Sequence, residues 1–240
     1  MERRPRLFDK AKIITVYNQK GGCGKTMLTM QLGGLLAMRG YKTLIIDMDK
    51  QQTASTWFAR AEARKKEPFP ATVISLKSDP EHLIGALRNF SEDFDFILID
   101  CPPSTESQIP WAALNVSVVG IVPIGPVLDN IWASREAFKL GDEAKERNPD
   151  LKLFYVLSIL KRGRIFESCQ REFGKIDHIR QGLIPQLGKG LTQRNAYAEC
   201  QWFGTIIHGL KQNRPAAAVE ELDHLADDFL KVFDIKEKAK

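Results

Sequence analysis

The residues best suited to chemistry stand together near the start of the chain, in the run "NQKGGCGKTM" from Asn18 to Met27. A phosphate-binding loop reads G-x-x-x-x-G-K-[ST]. Gly24, Lys25 and Thr26 fit the end of that pattern, but Gln19 takes the place of its first glycine. A second lysine, Lys20, precedes the pair Gly21-Gly22, and Cys23 fills the variable position. Glycines let consecutive backbone N–H groups turn inward on phosphate oxygens. A helix starting there adds the positive end of its dipole. Lys25 is suited to neutralise β- and γ-phosphates, and the Thr26 hydroxyl to bind Mg²⁺. An ordinary glycine-rich turn would explain the glycines but not the Lys25-Thr26 pair behind them. Three carboxylates extend the set. Asp100 closes the apolar run "ILID" and is suited to hold Mg²⁺ through water, since that ion keeps part of its hydration shell. Asp47 and Asp49 follow "LII" in "DMDK", where a carboxylate can orient water in line with a γ-phosphate. A lone aspartate at a strand end is more often a cap or turn residue. Three of them on two strands beside a phosphate loop favour chemistry.

These groups need strands to end beside the loop. "KIITVYN" (Lys12–Asn18) is a β-rich run that leads straight into the glycines, and Lys25 to Arg39 reads as a helix stopped by Gly40. "TLIID" (Thr43–Asp47) is continuously apolar, as in a parallel sheet covered on both faces. Further strands are expected at "ATVISL", "FDFILID" (Phe94–Asp100), "VSVVGIVPI" (Val116–Ile124) and "LKLFYVLSIL". Helical stretches are expected over 51–66, from Pro80 to about Phe90, near Asn130–Arg147 and after Pro215. Strand and helix alternate throughout, which predicts an α/β fold: a mostly parallel, twisted sheet with helices on both faces and right-handed crossovers. Ligands in such sheets bind beyond the carboxyl ends of the strands.

The 240 residues suit one domain, 1–240, with a short basic extension over 1–11 and a tail over 234–240 expected to be flexible. No apolar run reaches the ~20 residues that cross a bilayer, and "MERRPRLFDKAK" is not followed by a secretory core. The four cysteines, Cys23, Cys101, Cys169 and Cys200, form no C-x-x-C pair, which argues against zinc and for a reduced, cytoplasmic protein. The net charge of +5 is uneven: residues 151–214 carry 11 Lys/Arg against 4 Asp/Glu, or +7. That excess suits a polyanion, although a solvated basic surface explains it equally well. The last helix shows an apolar stripe through Val219, Leu222, Leu225, Ala226, Phe229, Leu230 and Phe233. Its polar face holds Glu220, Glu221, Asp223, Asp227 and Asp228, whereas an anionic bilayer prefers Lys and Arg, so packing on the sheet is favoured over a membrane.

"KGGCGKT" (Lys20–Thr26) resembles the deviant Walker-A motif K-G-G-x-G-K-[ST] of the ParA/MinD ATPases. "LIIDMDKQ" is similar to their D-x-D-P-Q, and "ILIDCPPS" to their Walker-B D-x-P-P. "VVGIVPI" matches the strand that follows, and "LTQRNAYAECQWFGTII" a late segment with Arg-Asn, Glu and Phe-Gly. The likeness runs from about Lys12 to Phe233. It implies ATP and Mg²⁺ as cofactors. It implies a nucleotide site of Lys20, Gly21, Gly22, Cys23, Gly24, Lys25, Thr26 and Met27, and metal contacts from Thr26, Asp47 and Asp100. Lys20, Lys25 and Asp49 inherit the catalytic roles. Lys20 would reach across an ATP-bound homodimer to the partner's phosphates, which accounts for the altered loop, and Asp49 would orient the attacking water. Two departures stand out: Lys50 replaces the usual proline, and Met27 replaces a second hydroxyl.

ParA-type relatives bind nonspecific DNA as ATP dimers and position a cargo, a plasmid, a chromosome or a protein complex, with slow hydrolysis stimulated by a ParB-like or cargo-adaptor protein. By position Arg194, Lys211 and Arg214 look like DNA-facing residues, Arg194 with the adenine pocket as its alternative. A nucleoid-associated location follows. The other reading is a MinD-like, membrane-associated spatial regulator, against which the acidic last helix weighs. "LKRGRIF" (160–166) is a second basic candidate, suited to DNA or to a dimer seam. Trp57 and Phe58 could face a partner, though core packing is the commoner use. A cluster-bridging relative like the nitrogenase iron protein would need a cysteine spacing that this chain lacks.

Overall fold

The computed structural model describes residues 10–64, 67–77, 79–103, 108–160, 164–212 and 214–235. Six strands form one sheet: β1 (Lys12–Val16), β2 (Thr43–Asp47), β3 (Thr72–Ser75), β4 (Phe96–Asp100), β5 (Val119–Ile124) and β6 (Lys152–Leu157). Their order is β3-β2-β4-β1-β5-β6, and every pairing is parallel. The helices are α1 (Lys25–Met38), α2 (Thr53–Arg64), α3 (Pro80–Phe90), α4 (Ile109–Leu114), α5 (Leu128–Arg147), α6 (Arg164–Phe173), α7 (Asp177–Arg180), α8 (Asn195–Phe203) and α9 (Ala216–Lys231). The α/β fold expected from the alternation is the one observed.

Period-two alternation splits each strand between two cores. Ile14, Val16, Ile45 and Leu98 point to the side covered by α1, α2, α8 and α9. Ile13, Leu44, Ile46, Ile97 and Ile99 point to the side covered by α3, α4 and α5. Both faces are therefore dry, and β2 and β4 are buried at every position. Helix α1 lies close against the sheet because Gly33 lacks a side chain, and Gly34 leaves room for Ile206 on its other flank. A Cβ on Gly33 would sit 2.8 Å from Ile45 Cδ1, and one on Gly34 2.5 Å from Ile206 Cγ2. The register sets Asp100 beside both Val16 and Asp47, which brings the exit of β1 and two carboxylates to one edge of the sheet.

Several boundaries differ from the sequence reading. β4 begins at Phe96 and β5 at Val119, and α4, α6, α7 and α8 are additional. In α4, Pro110 sits in the first turn, and the helix ends before Ser117. Asp79 caps α3 as the Asp-Pro pair suggests, accepting from Glu81 N at 2.7 Å. Trp57 is core: it is buried, and its indole N–H donates to the Thr205 carbonyl at 2.9 Å. Phe58 packs edge-on against Phe69.

The apolar stripe of α9 is occupied. Leu222, Leu225, Ala226, Phe229 and Leu230 are buried against the α1 side of the sheet. Phe229 packs tilted against Phe96 and edge-on against Phe233, with ring centroids 5.6 and 5.3 Å apart. On the outer face Arg39, the C-cap of α1, donates to Asp227 at 2.6 Å and Asp223 at 2.9 Å. Among the described residues no helix is long and apolar enough to cross a membrane. Phe229→Ala empties a fully buried ring site and is expected to cost about 3–5 kcal/mol of stability. The midpoint of urea unfolding measures it, and a loss below about 1 kcal/mol would contradict this packing.

Candidate functional site

The loop between β1 and α1 is shaped by its glycines. Gly22 and Gly24 have φ of 74° and 95°, a left-handed backbone that side chains disfavour. Gly24 forms the N-cap of α1 with no side-chain cap, so the first N–H groups of the helix face the loop without a capping side chain. The loop is pinned on two sides. Asn18 donates to the Pro123 carbonyl at 2.9 Å and accepts from the Lys20 N–H at 3.1 Å. From the tip of β6 the buried Ser158 hydroxyl donates to the Cys23 carbonyl. Ser158 Oγ would lie 3.1 Å from a Cβ on Gly24, so this serine and glycine are matched in size.

The two lysines behave differently. Lys25 is buried, and its ammonium donates to the Lys20 carbonyl at 2.9 Å, folded back over the loop. The Lys20 ammonium instead lies outside, 3.5 Å from Asp129 in the first turn of α5, with both side chains largely exposed. Cys23 is buried with its thiol toward the Lys20 carbonyl at 3.2 Å, and burial pushes its pKa up despite Lys25 nearby. A buried, proton-holding thiol is a packing group. Cys101, Cys169 and Cys200 are also buried and free. Met27 packs against the core.

The carboxylates converge on the same edge. Asp100 is fully buried, and its Oδ2 accepts from the Thr26 hydroxyl at 2.7 Å. Its Oδ1 is buried without a hydrogen-bond partner among the described residues. Burial raises its pKa to about 7. The Thr26 bond and Lys25 pull it down, and Asp47 and Asp49 push it up. Asp47, also buried, is fully engaged: it accepts from the Asp49 N–H at 3.1 Å and from the N–H and hydroxyl of Ser55, each at 2.9 Å. It therefore ties the turn after β2 to the start of α2. Asp49 is partly exposed, and one of its oxygens accepts from the Gln51 N–H at 3.0 Å. An orphaned carboxylate oxygen beside a threonine hydroxyl fits a hydrated Mg²⁺. Among the described residues no cluster of three or more metal-ligating His, Cys, Asp or Glu side chains occurs.

The basic residues separate. Lys211 is exposed and pairs with Glu67 at 2.8 Å, and Arg214 is exposed and donates to the His208 carbonyl at 3.0 Å. Both line one open concavity with Met38 and His208. Arg194 does not join them. It pairs at 2.7 Å with Glu221, which also accepts from the Thr192 N–H and hydroxyl. This joint fastens the start of α8 to α9 and offsets the Arg194 charge. Arg194 thus stands apart from Lys211 and Arg214, held at the start of α8 by Glu221. Of "LKRGRIF", 161–163 and the side chains of 164–166 lie outside the described residues, as do 1–9 of the basic extension and 236–240 of the tail.

Asn18, Ser55, Asp129 and Ser158 were not singled out from sequence. Each acts through a neighbour distant in the chain or through a turn whose shape the sequence does not show. Residues 14–234 match the family model described as the CobQ/CobB/MinD/ParA nucleotide binding domain. The chain is 26% identical over 223 residues to the maintenance of carboxysome distribution protein A of Halothiobacillus neapolitanus, covering 92% of this chain and 98% of that one. It is 26% identical over 232 residues to the chromosome partitioning protein ParA of Myxococcus xanthus, covering 82% and 80%. In fold it resembles an Asp-to-Ala variant of Cyanothece McdA solved with ATP, at a TM-score of 0.71 and 14% identity over 97% of this chain and all of that one.

Proposed function

The chain belongs to the CobQ/CobB/MinD/ParA nucleotide-binding family, and from that premise we propose that it is a ParA-type ATPase. In this reading it binds ATP with Mg²⁺, pairs with a second copy across the nucleotides, holds DNA without regard to sequence and positions a cargo. The observation that carries the proposal is the split between the two lysines. Lys25 is buried inside its own loop, whereas Lys20 presents its ammonium outward on a weak surface pair with Asp129. A cation placed so can serve a neighbouring site better than its own.

The residues divide the work. The loop N–H groups and the α1 dipole take the phosphates. Lys25 exchanges the Lys20 carbonyl for phosphate oxygens. Thr26 and Asp100 would hold a hydrated Mg²⁺, which would supply positive charge beside the phosphates. Asp49 has an open carboxylate at the strand tip for orienting water, and Asp47 positions the segment that carries it. Hydrolysis is expected to be slow and stimulated by a ParB-like or cargo-adaptor protein.

DNA is favoured over a membrane surface because α9 spends its apolar face on the core. Lys211 and Arg214 close the stretch 151–214 that carries the positive excess, and both line one concavity. Each would contact backbone phosphate, so binding should weaken with salt and ignore sequence. Filter retention of a random-sequence duplex is expected to be about tenfold or more stronger with an ATP analogue than with ADP. Lys211→Ala/Arg214→Ala should flatten the salt dependence by about two phosphate contacts. Equal retention with both nucleotides would contradict the reading.

A further inference from the structure

The tip of β6 holds the phosphate loop through a backbone that its own sequence disfavours. Ile159 has φ of 56°, in the left-handed region where a β-branched residue is a genuine outlier. Its neighbours are fixed on both sides. Before it, the Ser158 N–H donates to the Ile124 carbonyl of β5 at 2.9 Å, and the Ser158 hydroxyl donates to the Cys23 carbonyl. After it, the Leu160 N–H donates to the Leu191 carbonyl at 3.0 Å, and the Leu160 carbonyl accepts from the Gln193 N–H at 2.8 Å. Strain of this kind persists only where the surroundings over-determine it, and it gathers at functional sites. Here it turns the chain from β5 toward the segment that leads into α8, with Ser158 buried at the turn.

We propose that Ser158 is a positioning residue of the nucleotide site, which fixes the Cys23–Gly24 peptide so that the Gly24 N–H faces the phosphates. The inference rests on the ATPase reading above. A trans peptide is planar, with its C=O and N–H on opposite sides. A hydroxyl that holds the Cys23 carbonyl therefore turns the Gly24 N–H away from Ser158. Local sequence does not settle this orientation. Gly24 has φ of 95°, and a glycine adopts either sign of φ about as readily, so the peptide is free to turn over unless something outside the loop holds it. A turned peptide would present a carbonyl oxygen where phosphate needs a donor. The holding bond is buried at both residues, so water does not compete for it. Without the hydroxyl only a fraction of the protein keeps the competent orientation, and the apparent affinity falls by that fraction.

The test compares wild type, Ser158→Ala and Ser158→Thr in the full chain. It measures binding of a fluorescent ATP analogue with Mg²⁺ and its displacement by inorganic tripolyphosphate. Ser158→Ala is expected to weaken both by about tenfold, the share of one buried hydrogen bond. Ser158→Thr keeps a hydroxyl and should stay within about threefold of wild type. In protein isotopically labelled at glycine nitrogen, the Gly24 amide proton should move downfield when the analogue binds wild type, and by less in Ser158→Ala. Wild-type affinity for both probes in Ser158→Ala would overturn the inference and leave the ATPase reading intact. So would a loss for the ATP analogue without one for tripolyphosphate, which would make Ser158 a contact for the nucleoside. An equal loss in Ser158→Thr would make the effect one of packing and overturn it too. A wild-type chain that binds neither probe would instead remove the ATPase reading itself.

Discussion

Lys20→Ala is expected to lower phosphate release at saturating ATP by at least about 100-fold, the scale on which a charge aimed at a developing anion acts. The affinity of an isolated protomer for ATP should change by less than about threefold. The contrast follows from placement. The Lys20 ammonium is exposed and engages Asp129 on α5, while its carbonyl accepts from Lys25. Removing the side chain leaves that carbonyl, the loop glycines and the Asn18 bond intact. Lys25→Ala is different, because it deletes the buried cation of the site and should abolish nucleotide binding itself. Radiolabelled-phosphate release and fluorescent-nucleotide titration separate the two variants. If Lys20→Ala loses affinity as Lys25→Ala does, Lys20 serves its own site and the trans role is wrong.

Asp100→Asn is expected to stabilise the metal-free protein at alkaline pH and to weaken Mg²⁺-dependent nucleotide binding. Burial raises the folded-state pKa of Asp100 to about 7, above the unfolded carboxylate value of 3.8. The folded state therefore holds a proton that the unfolded state releases. Stability is lost as pH rises from about 4 toward 7 and levels off above that. The loss is of the order of a few kcal/mol. An amide, which carries no charge, removes this dependence. Urea unfolding in chelator at pH 5 and pH 8 should show the variant's advantage over wild type growing from the lower pH to the higher. A parallel fall in Mg²⁺-supported affinity would mark the carboxylate as a functional strain, retained because the ion repays it. An equal gap between the two proteins at both pH values would contradict the buried-charge account.

Much of the site was legible because its residues lie in local patterns. A glycine loop after a β-rich run, and aspartates closing "LIID" and "ILID", mark strand ends without any knowledge of the sheet. The parallel order then brings β1, β2 and β4 together, and Asp47 and Asp100 meet in register. The last helix was equally readable, since its apolar stripe and acidic face have helical period. What escaped depends on distant partners. Ser158 holds the loop from β6, 135 residues along the chain from Cys23. Glu221 pairs with Arg194 from a different helix, a contact that no local pattern shows. The short helix α4 was hidden because an apolar run of that length has no clear period.

The account stands or falls on whether nucleotide brings two copies together. Sedimentation velocity of the wild-type chain with Mg²⁺, in ADP and in a non-hydrolysable ATP analogue, reads this directly. The account predicts a single subunit with ADP and a two-subunit particle with the analogue. One subunit in both, or two in both, would contradict it.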